Sequence, residues 1–241
     1  MLQKTQGIVL HAIKYSDNAS IVSIYTRDFG RCAYMFHQKK GKSSTGKAAF
    51  VQPLTLVEMD VYHHPKKQVQ HIKDLRVSYP YTQIPFDAKK NAVAIFISEV
   101  LYKTLRQPEP DELLFDFIQN SLQTFDCQED SFVNFHLVFL AKLTRFLGFE
   151  PSCRYEPNAT FFDLLNGVFV SQKPEHQHFI ENAAAETFNN ILHCDYSTMQ
   201  HIQLTHKHRN ELTDSLLEFY KIHLSEFSTV KSLSVLQMLF E

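Results

Sequence analysis

The first 80 residues alternate between short apolar segments and turn signals, a pattern typical of β structure. Strands are predicted in five segments rich in isoleucine, valine, tyrosine and phenylalanine, at 5–13, 20–26, 31–37, 54–62 and 69–75. Turn signals separate them at 16–18, at 28–30, in a glycine-containing loop and at 63–65. Five short strands with edges to hide indicate a small barrel of the OB type, although the strand number leaves an SH3-like barrel open.

Beyond residue 80 the apolar positions recur at helical spacing. A first helix is predicted from the i, i+3, i+4, i+7, i+8 pattern of Val93, Phe96, Ile97, Val100 and Leu101. Asp111 is predicted to cap a second helix, and a third should run from about residue 130 to Phe146, with Gly148 just past its end. Further helices are predicted at 179–192, 205–224 and 232–240.

The proline-containing stretch 78–85 marks the change of pattern, and we place a domain boundary there. Within the helical part, Asn166-Gly167 stands between two apolar runs, which is a strong hairpin signal. The predicted fold class is α+β: an OB-fold β-barrel at 1–80, then an α-helical domain at 81–241 with a small hairpin insert near 151–174.

Charge is distributed unevenly between these two parts. Residues 1–80 carry 12 Lys/Arg against 5 Asp/Glu, a balance of +7, whereas residues 81–241 have a balance of −9. This asymmetry predicts that the barrel, and not the helical domain, meets an anion. Four of the cations lie in the glycine-containing, acid-free segment 35–49: Lys39, Lys40, Lys42 and Lys47. We interpret the segment as an exposed loop that binds a polyanion. The alternative is a solvated insertion that binds no ligand.

Further cations are predicted on the same barrel, at Lys4, Arg27 and Arg31. Aromatic residues are interleaved with them, and the candidates for base stacking are Tyr25, Tyr34 and Phe36. Cations that neutralise phosphates and rings that stack on bases are typical of proteins that bind single-stranded nucleic acid. Strand parity places Tyr34 and Phe36 on one face, and one face must be core, so the pattern leaves open which rings point outward.

Other chemistry is less well supported. Residues 41–47 read G-x-x-x-x-G-K, but Ala48 stands where a phosphate-binding loop needs a hydroxyl for magnesium, and Pro53 and a strand follow where a helix should begin. The histidine pairs and four scattered cysteines lack the three or four convergent ligands of a zinc site, so surface histidines are favoured. No catalytic motif is present, and a metal- or nucleotide-dependent hydrolase is the least favoured of three hypotheses. No run approaches 18 apolar residues, which predicts a cytoplasmic protein that does not enter a membrane.

The residues at 7–31, GIVLHAIKYSDNASIVSIYTRDFGR, followed by the lysine-rich loop and QPLTLVEMDVY at 52–62, resemble the RecO family of bacterial recombination mediators. The resemblance covers about the first 75 residues well. It extends more loosely to LTDSLLEFYKIHL at 212–224 and to Lys231-Ser232.

The resemblance implies an OB-fold followed by a helical domain, and a non-enzymatic role at the nucleoid. Members of the family bind and anneal DNA, single- and double-stranded, and with RecR they help RecA load onto DNA coated by single-strand-binding protein. The positions that match the family's DNA-binding barrel are Lys4, Arg27, Arg31, Lys39, Lys40, Lys42 and Lys47. Some relatives carry a four-cysteine zinc site in the insert, of which only Cys153 is present here, so no cofactor is expected. The alternative is an adaptor that docks acidic peptides without binding DNA.

Overall fold

The computed structural model describes residues 1–37, 49–129, 132–152 and 159–240. The chain divides into two compact units. The first comprises Met1–Cys127 with Val230–Leu233, and the second comprises Gln128–Thr229 with Ser234–Glu241.

The first unit is built on a closed five-stranded barrel with the strand order β1-β2-β3-β5-β4. The strands are β1 (Leu2–Ser16), β2 (Ala19–Thr26), β3 (Gly30–His37), β4 (Leu56–Tyr62) and β5 (Val69–Tyr79). All neighbours are antiparallel except β3 and β5, which pair in parallel through Ala33–Met35 and Val69–His71. This order is that of an OB-type barrel, so the prediction is confirmed in preference to an SH3-like barrel.

The period-2 pattern of the strands fills the barrel with apolar side chains. One face of β3 points inward: Cys32, Tyr34 and Phe36 are 9%, 0% and 6% exposed. They pack with residues from the other strands, among them Val9, Val22, Ile24, Val57, Met59 and Val61. One whole face of β3 is therefore core.

Two helices pack in the same unit, α1 (Ala88–Thr104) and α2 (Glu112–Cys127). The side chain of Asp87 caps α1 by accepting from the Lys90 N–H, and Asp111 caps α2 by accepting from the Leu114 N–H at 2.9 Å, as predicted. Ser98 of α1 donates to the carbonyl of Leu10 at 2.6 Å, which ties this helix to β1.

Two buried side chains, those of Asp126 and Lys90, stabilise the point where strand gives way to helix by bonding to backbone groups. The Asp126 carboxylate accepts from the backbone N–H groups of Thr82, Gln83 and Ile84 at 2.8–2.9 Å and from the Thr82 hydroxyl at 3.0 Å. The Lys90 ammonium donates to the carbonyls of Phe125 and Asp126, both at 3.1 Å. The strand-to-helix change near residue 80 thus lies inside the first compact unit, which extends to Cys127.

The second unit combines helices with a small sheet of order β7-β6-β8. Its elements are β6 (Phe161–Asp163), β7 (Val168–Val170), β8 (Phe179–Glu181), α3 (Phe135–Phe146), α4 (Asn182–Leu192) and α5 (His206–His223), with most of α6 (Leu233–Leu239). The Asn166-Gly167 hairpin between β6 and β7 is confirmed, as is Gly148 after α3 at φ +81°. The helix predicted from residue 179 is wrong at its start, because Phe179–Glu181 pairs with β6 as a strand.

Phenylalanine rings fill the core of the second unit, and a few buried polar groups satisfy one another. Arg209 donates to the Asn134 amide oxygen and to the Leu204 carbonyl, each at 3.1 Å. His136 lies 3.1 Å from the Thr213 hydroxyl, and burial lowers its pKa to about 3. The imidazole is therefore a neutral core group and not a candidate acid or base.

We predict that Gly30→Ala destabilises the protein strongly. Gly30 has φ +61°, and a Cβ there would lie 2.4 Å from the Glu109 carbonyl oxygen. Left-handed strain and the clash together should lower the free energy of unfolding by more than about 2 kcal/mol, measured by urea denaturation. Gly148→Ala is the control: its φ is also positive, but the added carbon meets nothing within 4 Å, so we expect about 1 kcal/mol. Equal losses would contradict the close approach at Gly30.

We predict that Asp126→Asn lowers the free energy of unfolding by about 2–3 kcal/mol at neutral pH, because the amide cannot accept every bond that the carboxylate accepts. Burial alone raises the pKa of Asp126, but the N–H groups of Thr82, Ile84 and Gln83 outweigh it and hold the pKa below its usual 3.8. A depressed folded-state pKa means that the stabilisation is complete above the unfolded-state value and is lost as the pH falls through the folded-state value.

Urea denaturation at a series of pH values checks this prediction. The difference between wild type and Asp126→Asn should be constant near neutrality and shrink below about pH 4. Asp17→Asn is the control, since the Asp17 side chain is 95% exposed. A difference that does not change in acid would show that the carboxylate charge is not what stabilises this junction.

Candidate nucleic-acid interface

Arg27, predicted to contact DNA, is already paired with carboxylates. Its Nη1 and Nη2 donate to the two carboxylate oxygens of Asp116 on α2 at 2.5 and 3.2 Å, and Glu112 lies 3.6 Å away. The hydrogen bond to Asp116 raises the pKa of Arg27, and the guanidinium also lies 5.7 Å from the Phe115 ring centre. This arginine links the β2–β3 turn to α2, and its charge is balanced within the molecule.

Arg31 is also bonded internally. Its Nη1 donates to the carbonyls of Tyr102 and Leu105 at the C-terminal end of α1, at 2.7 and 3.1 Å. The guanidinium lies 4.6 Å from the centre of the Tyr102 ring. Burial lowers the pKa of Arg31. A cation that bonds to the last carbonyls of a helix and lies over a ring stabilises the helix end. Arg31 therefore has a structural role at the end of α1.

Lys4 lies apart from these two arginines. It stands opposite Asp60 in the β1–β4 ladder and lines a cavity of about 290 Å³. Carboxylates outnumber cations among the described residues of that cavity, which include Asp28, Glu58, Asp60 and Asp74 beside Lys4, Arg27 and Arg76. The surroundings of Lys4 therefore give little attraction for a phosphate backbone.

The stacking prediction for Tyr25, Tyr34 and Phe36 is wrong. These rings are 2%, 0% and 6% exposed. Tyr34 and Phe36 point into the barrel core, whereas Tyr25 faces Phe115 of α2 and its hydroxyl donates to the Asp111 carbonyl. A ring with no open face cannot receive a base. The four loop lysines, Lys39, Lys40, Lys42 and Lys47, and the G-x-x-x-x-G-K stretch lie outside the described residues, so the predictions made for them stay predictions.

The structure instead brings other cations together in a groove of about 620 Å³ in the first unit. Its walls come from β2 and β3, the turn between them, the β4–β5 loop at 63–68 and the segment 106–110. The described cations that line it are Arg31, Lys66, Lys67 and Arg106, and Asp28 is the single acid among the described lining residues. We call this the cationic groove.

Lys66 and Lys67 are exposed, and no described residue forms an ion pair with either side chain. The loop that carries them is held by Gln70, which is 3% exposed. The Gln70 amide accepts from the His64 N–H at 2.9 Å and donates to the carbonyls of His64 and Lys67 at 2.9 and 2.8 Å. The two lysines thus project from a loop that Gln70 holds in place, and neither charge is paired within the described part of the molecule.

A stacked ring pair stands in the same groove. Phe29 and His63 lie with ring centroids 4.1 Å apart and planes 10° from parallel. Sequence reasoning treated 28–30 and 63–65 only as turns and missed this pair and the two lysines. The available signal was the Lys66-Lys67 dipeptide after Pro65 in the loop between the fourth and fifth strands, a loop that OB-folds use to bind ligands.

The described residues contain no group of three or more His, Cys, Asp and Glu side chains that could hold a metal ion. His176 lies 3.3 Å from Asp163, and His178 lies 2.5 Å from Glu218, so each pairs with a carboxylate. Cys153 is outside the described residues, and the absence of a cofactor stays a prediction. No helix in the described parts of the chain is long and apolar enough to span a membrane.

Comparison with known proteins identifies the family of the chain. Residues 1–81 match the family model "Recombination protein O N terminal", and residues 85–233 match "Recombination protein O C terminal". The chain is 37% identical over 240 residues to the DNA repair protein RecO of Phocaeicola vulgatus and 36% identical over 241 residues to that of Azobacteroides pseudotrichonymphae, in both cases over the full length of both chains. A RecO of Bacteroides fragilis is 37% identical over 242 residues, again over both full lengths. The chain belongs to the RecO family of DNA repair proteins.

Proposed function

We propose that this protein is a non-enzymatic recombination mediator whose cationic groove binds single-stranded DNA. In this role it holds and anneals DNA strands and helps a recombinase load onto single-stranded DNA coated by single-strand-binding protein. The observation that carries the proposal is the convergence of Lys66, Lys67, Arg31 and Arg106 on one face of the barrel.

The charge in the groove suits a phosphate backbone. Lys66 and Lys67 have no ion-pair partner among the described residues, so a phosphate would displace only solvent and counterions from them. Arg31 and Arg106 add positive potential along the wall of the groove, although Arg31 also donates hydrogen bonds to carbonyls at the end of α1. A mixed set of this kind favours an anion that runs along the groove over a single bound ion.

The position of the groove on the barrel supports the same ligand. OB-folds bind extended oligomers across strands 2 and 3, with the loop between strands 4 and 5 at one side. Here Ser23 of β2, Arg31 and Ala33 of β3 and the β4–β5 loop at 63–68 all line the groove. Lys39, Lys40, Lys42 and Lys47 follow β3 in the sequence, and we propose that they too bind the phosphate backbone.

Family membership supports the wider role. We propose that the partners are single- and double-stranded DNA, RecR and single-strand-binding protein, with a functional link to RecA, and that the protein acts in the cytoplasm at the nucleoid. No catalytic residue and no cofactor enter this proposal. DNA annealing by charge neutralisation and strand positioning requires neither.

An adaptor that docks acidic peptides is the second candidate. The same excess of cations in the groove favours it, because a run of carboxylates is attracted to Lys66 and Lys67 as phosphates are. The two candidates differ in their ligand: an adaptor of this kind would retain acidic peptides and show no measurable affinity for single-stranded DNA.

We predict that the double substitution Lys66→Ala/Lys67→Ala weakens binding of single-stranded DNA and flattens its dependence on salt. Each phosphate contact to a single strand contributes about 0.7 to the slope of log affinity against log salt, so losing two contacts should reduce the slope by about 1.4. Fluorescence anisotropy of a labelled oligonucleotide at several salt concentrations measures both quantities.

The matched control is Lys4→Ala/Arg76→Ala, which removes the same formal charge from the carboxylate-lined cavity of the same unit. It should leave the slope nearly unchanged. If both double variants reduce the slope equally, binding is governed by net charge and not by the groove. If neither affects binding, the proposed interface is wrong.

A further inference from the structure

We propose that the stacked rings of Phe29 and His63 are the nucleobase-binding element of the cationic groove, the part of it that receives an unpaired base of a single strand. This inference rests on the proposed function and adds to it the ring pair and the chemical class that the pair recognises. Tyr25, Tyr34 and Phe36, the candidates that the sequence offered for this role, are buried.

The stack of His63 on Phe29 is formed within the protein before any ligand arrives. Their planes are 10° from parallel at 4.1 Å, and both rings line the groove while remaining partly exposed. Base stacking on aromatic rings is a main source of affinity in proteins that hold single strands, and it is tolerant of sequence because every base has a π-face. A preformed platform receives a base with little loss of side-chain entropy.

Each ring is fixed by a rigid part of the barrel. Phe29 packs against the barrel core, and its backbone N–H donates to the Thr26 hydroxyl at 3.1 Å. His63 leads into the loop that the Gln70 amide holds through His64 and Lys67. The platform therefore joins the β2–β3 turn to the β4–β5 loop, the two places where sequence reasoning saw only turns.

His63 acts here as a flat neutral ring and not as a cation. Its Nδ1 is buried and has no hydrogen-bond partner among the described residues, so a proton on that atom would be an unpaired buried donor. Burial, and after it the neighbouring His64, lowers the pKa of His63, which also favours the neutral ring. A neutral imidazole on a phenyl ring suits a base better than a phosphate.

The cations around the platform supply the complementary contact. Lys66 and Lys67 lie three and four residues after His63, and Arg31 lies two residues after Phe29. All three cations line the same groove as the ring pair, and such a combination suits a chain that alternates phosphates with unstacked bases. In a duplex the bases are paired and stacked on one another, so only a single-stranded segment can use the ring pair.

Three substitutions in the full-length protein test this inference. His63→Ala removes the outer half of the stack and should weaken binding of a single-stranded oligonucleotide about tenfold. His63→Phe keeps a ring and should retain affinity near that of wild type. His64→Ala is the matched control, because His64 is an adjacent exposed histidine with no ring contact to Phe29, and it should bind as wild type does.

The probes are two oligonucleotides of equal length, one carrying 2-aminopurine and one made of abasic sites. Wild type and His63→Phe should quench 2-aminopurine fluorescence on binding, whereas His63→Ala should not. The abasic strand should bind wild type and His63→Ala with equal affinity, since no base is present to stack. The salt slope should be the same for all variants, because no phosphate contact is removed.

The results separate this inference from the proposed function. If His63→Ala binds normal DNA as tightly as wild type, or if His63→Phe is as weak as His63→Ala, the platform is wrong while DNA binding through the lysines stands. If wild type does not bind single-stranded DNA at all, the proposed function and this inference are both wrong. Thermal denaturation of each variant excludes unfolding as the cause of lost binding.

Discussion

The contact between the β2–β3 turn and the end of α1 is the constraint on which the groove depends. At Gly30 the backbone of Glu109 comes so close that no side chain fits. The next residue, Arg31, donates its backbone N–H to the Gln107 carbonyl at 3.3 Å and its guanidinium to the carbonyls of Tyr102 and Leu105. These bonds hold the segment 106–110 beside β3 and so create the second wall of the groove. Without that wall, β3 and the β4–β5 loop would present a flat surface.

Arginine and lysine have separate tasks in this unit. Arg27 and Arg31 use planar, many-donor guanidinium groups to satisfy carboxylates and helix-end carbonyls, which a single ammonium group satisfies less well. Lys66 and Lys67 keep their charges directed to solvent. A positive count of +7 in the first 80 residues therefore overstates the charge available to a ligand, because part of it is neutralised inside the molecule. The total indicated the part of the chain that carries the cationic groove, but it did not indicate Lys66, Lys67 or Arg106.

The sequence predicted the fold well because local patterns determine it. Alternation placed all five strands, Asp111 proved to be the cap of α2, and Asn166-Gly167 proved to be a hairpin. The site was harder, since strand parity divides side chains into two faces without saying which is core, and the face that carries Tyr34 and Phe36 proved to be core. The internal bonds of Arg27 join residues 89 positions apart, and no local pattern encodes such a pairing. The Phe29–His63 stack likewise depends on how the barrel closes.

The buried amide of Gln70 has a consequence for how this surface can change. Because one side chain inside the barrel sets the path of the β4–β5 loop through the main chain of His64 and Lys67, the outward side chains there take no part in holding its shape. The charges of Lys66 and Lys67 can accordingly be removed or reversed at little cost to the barrel. The affinity of this surface for an anionic ligand and the stability of the barrel can thus be changed independently by substitution.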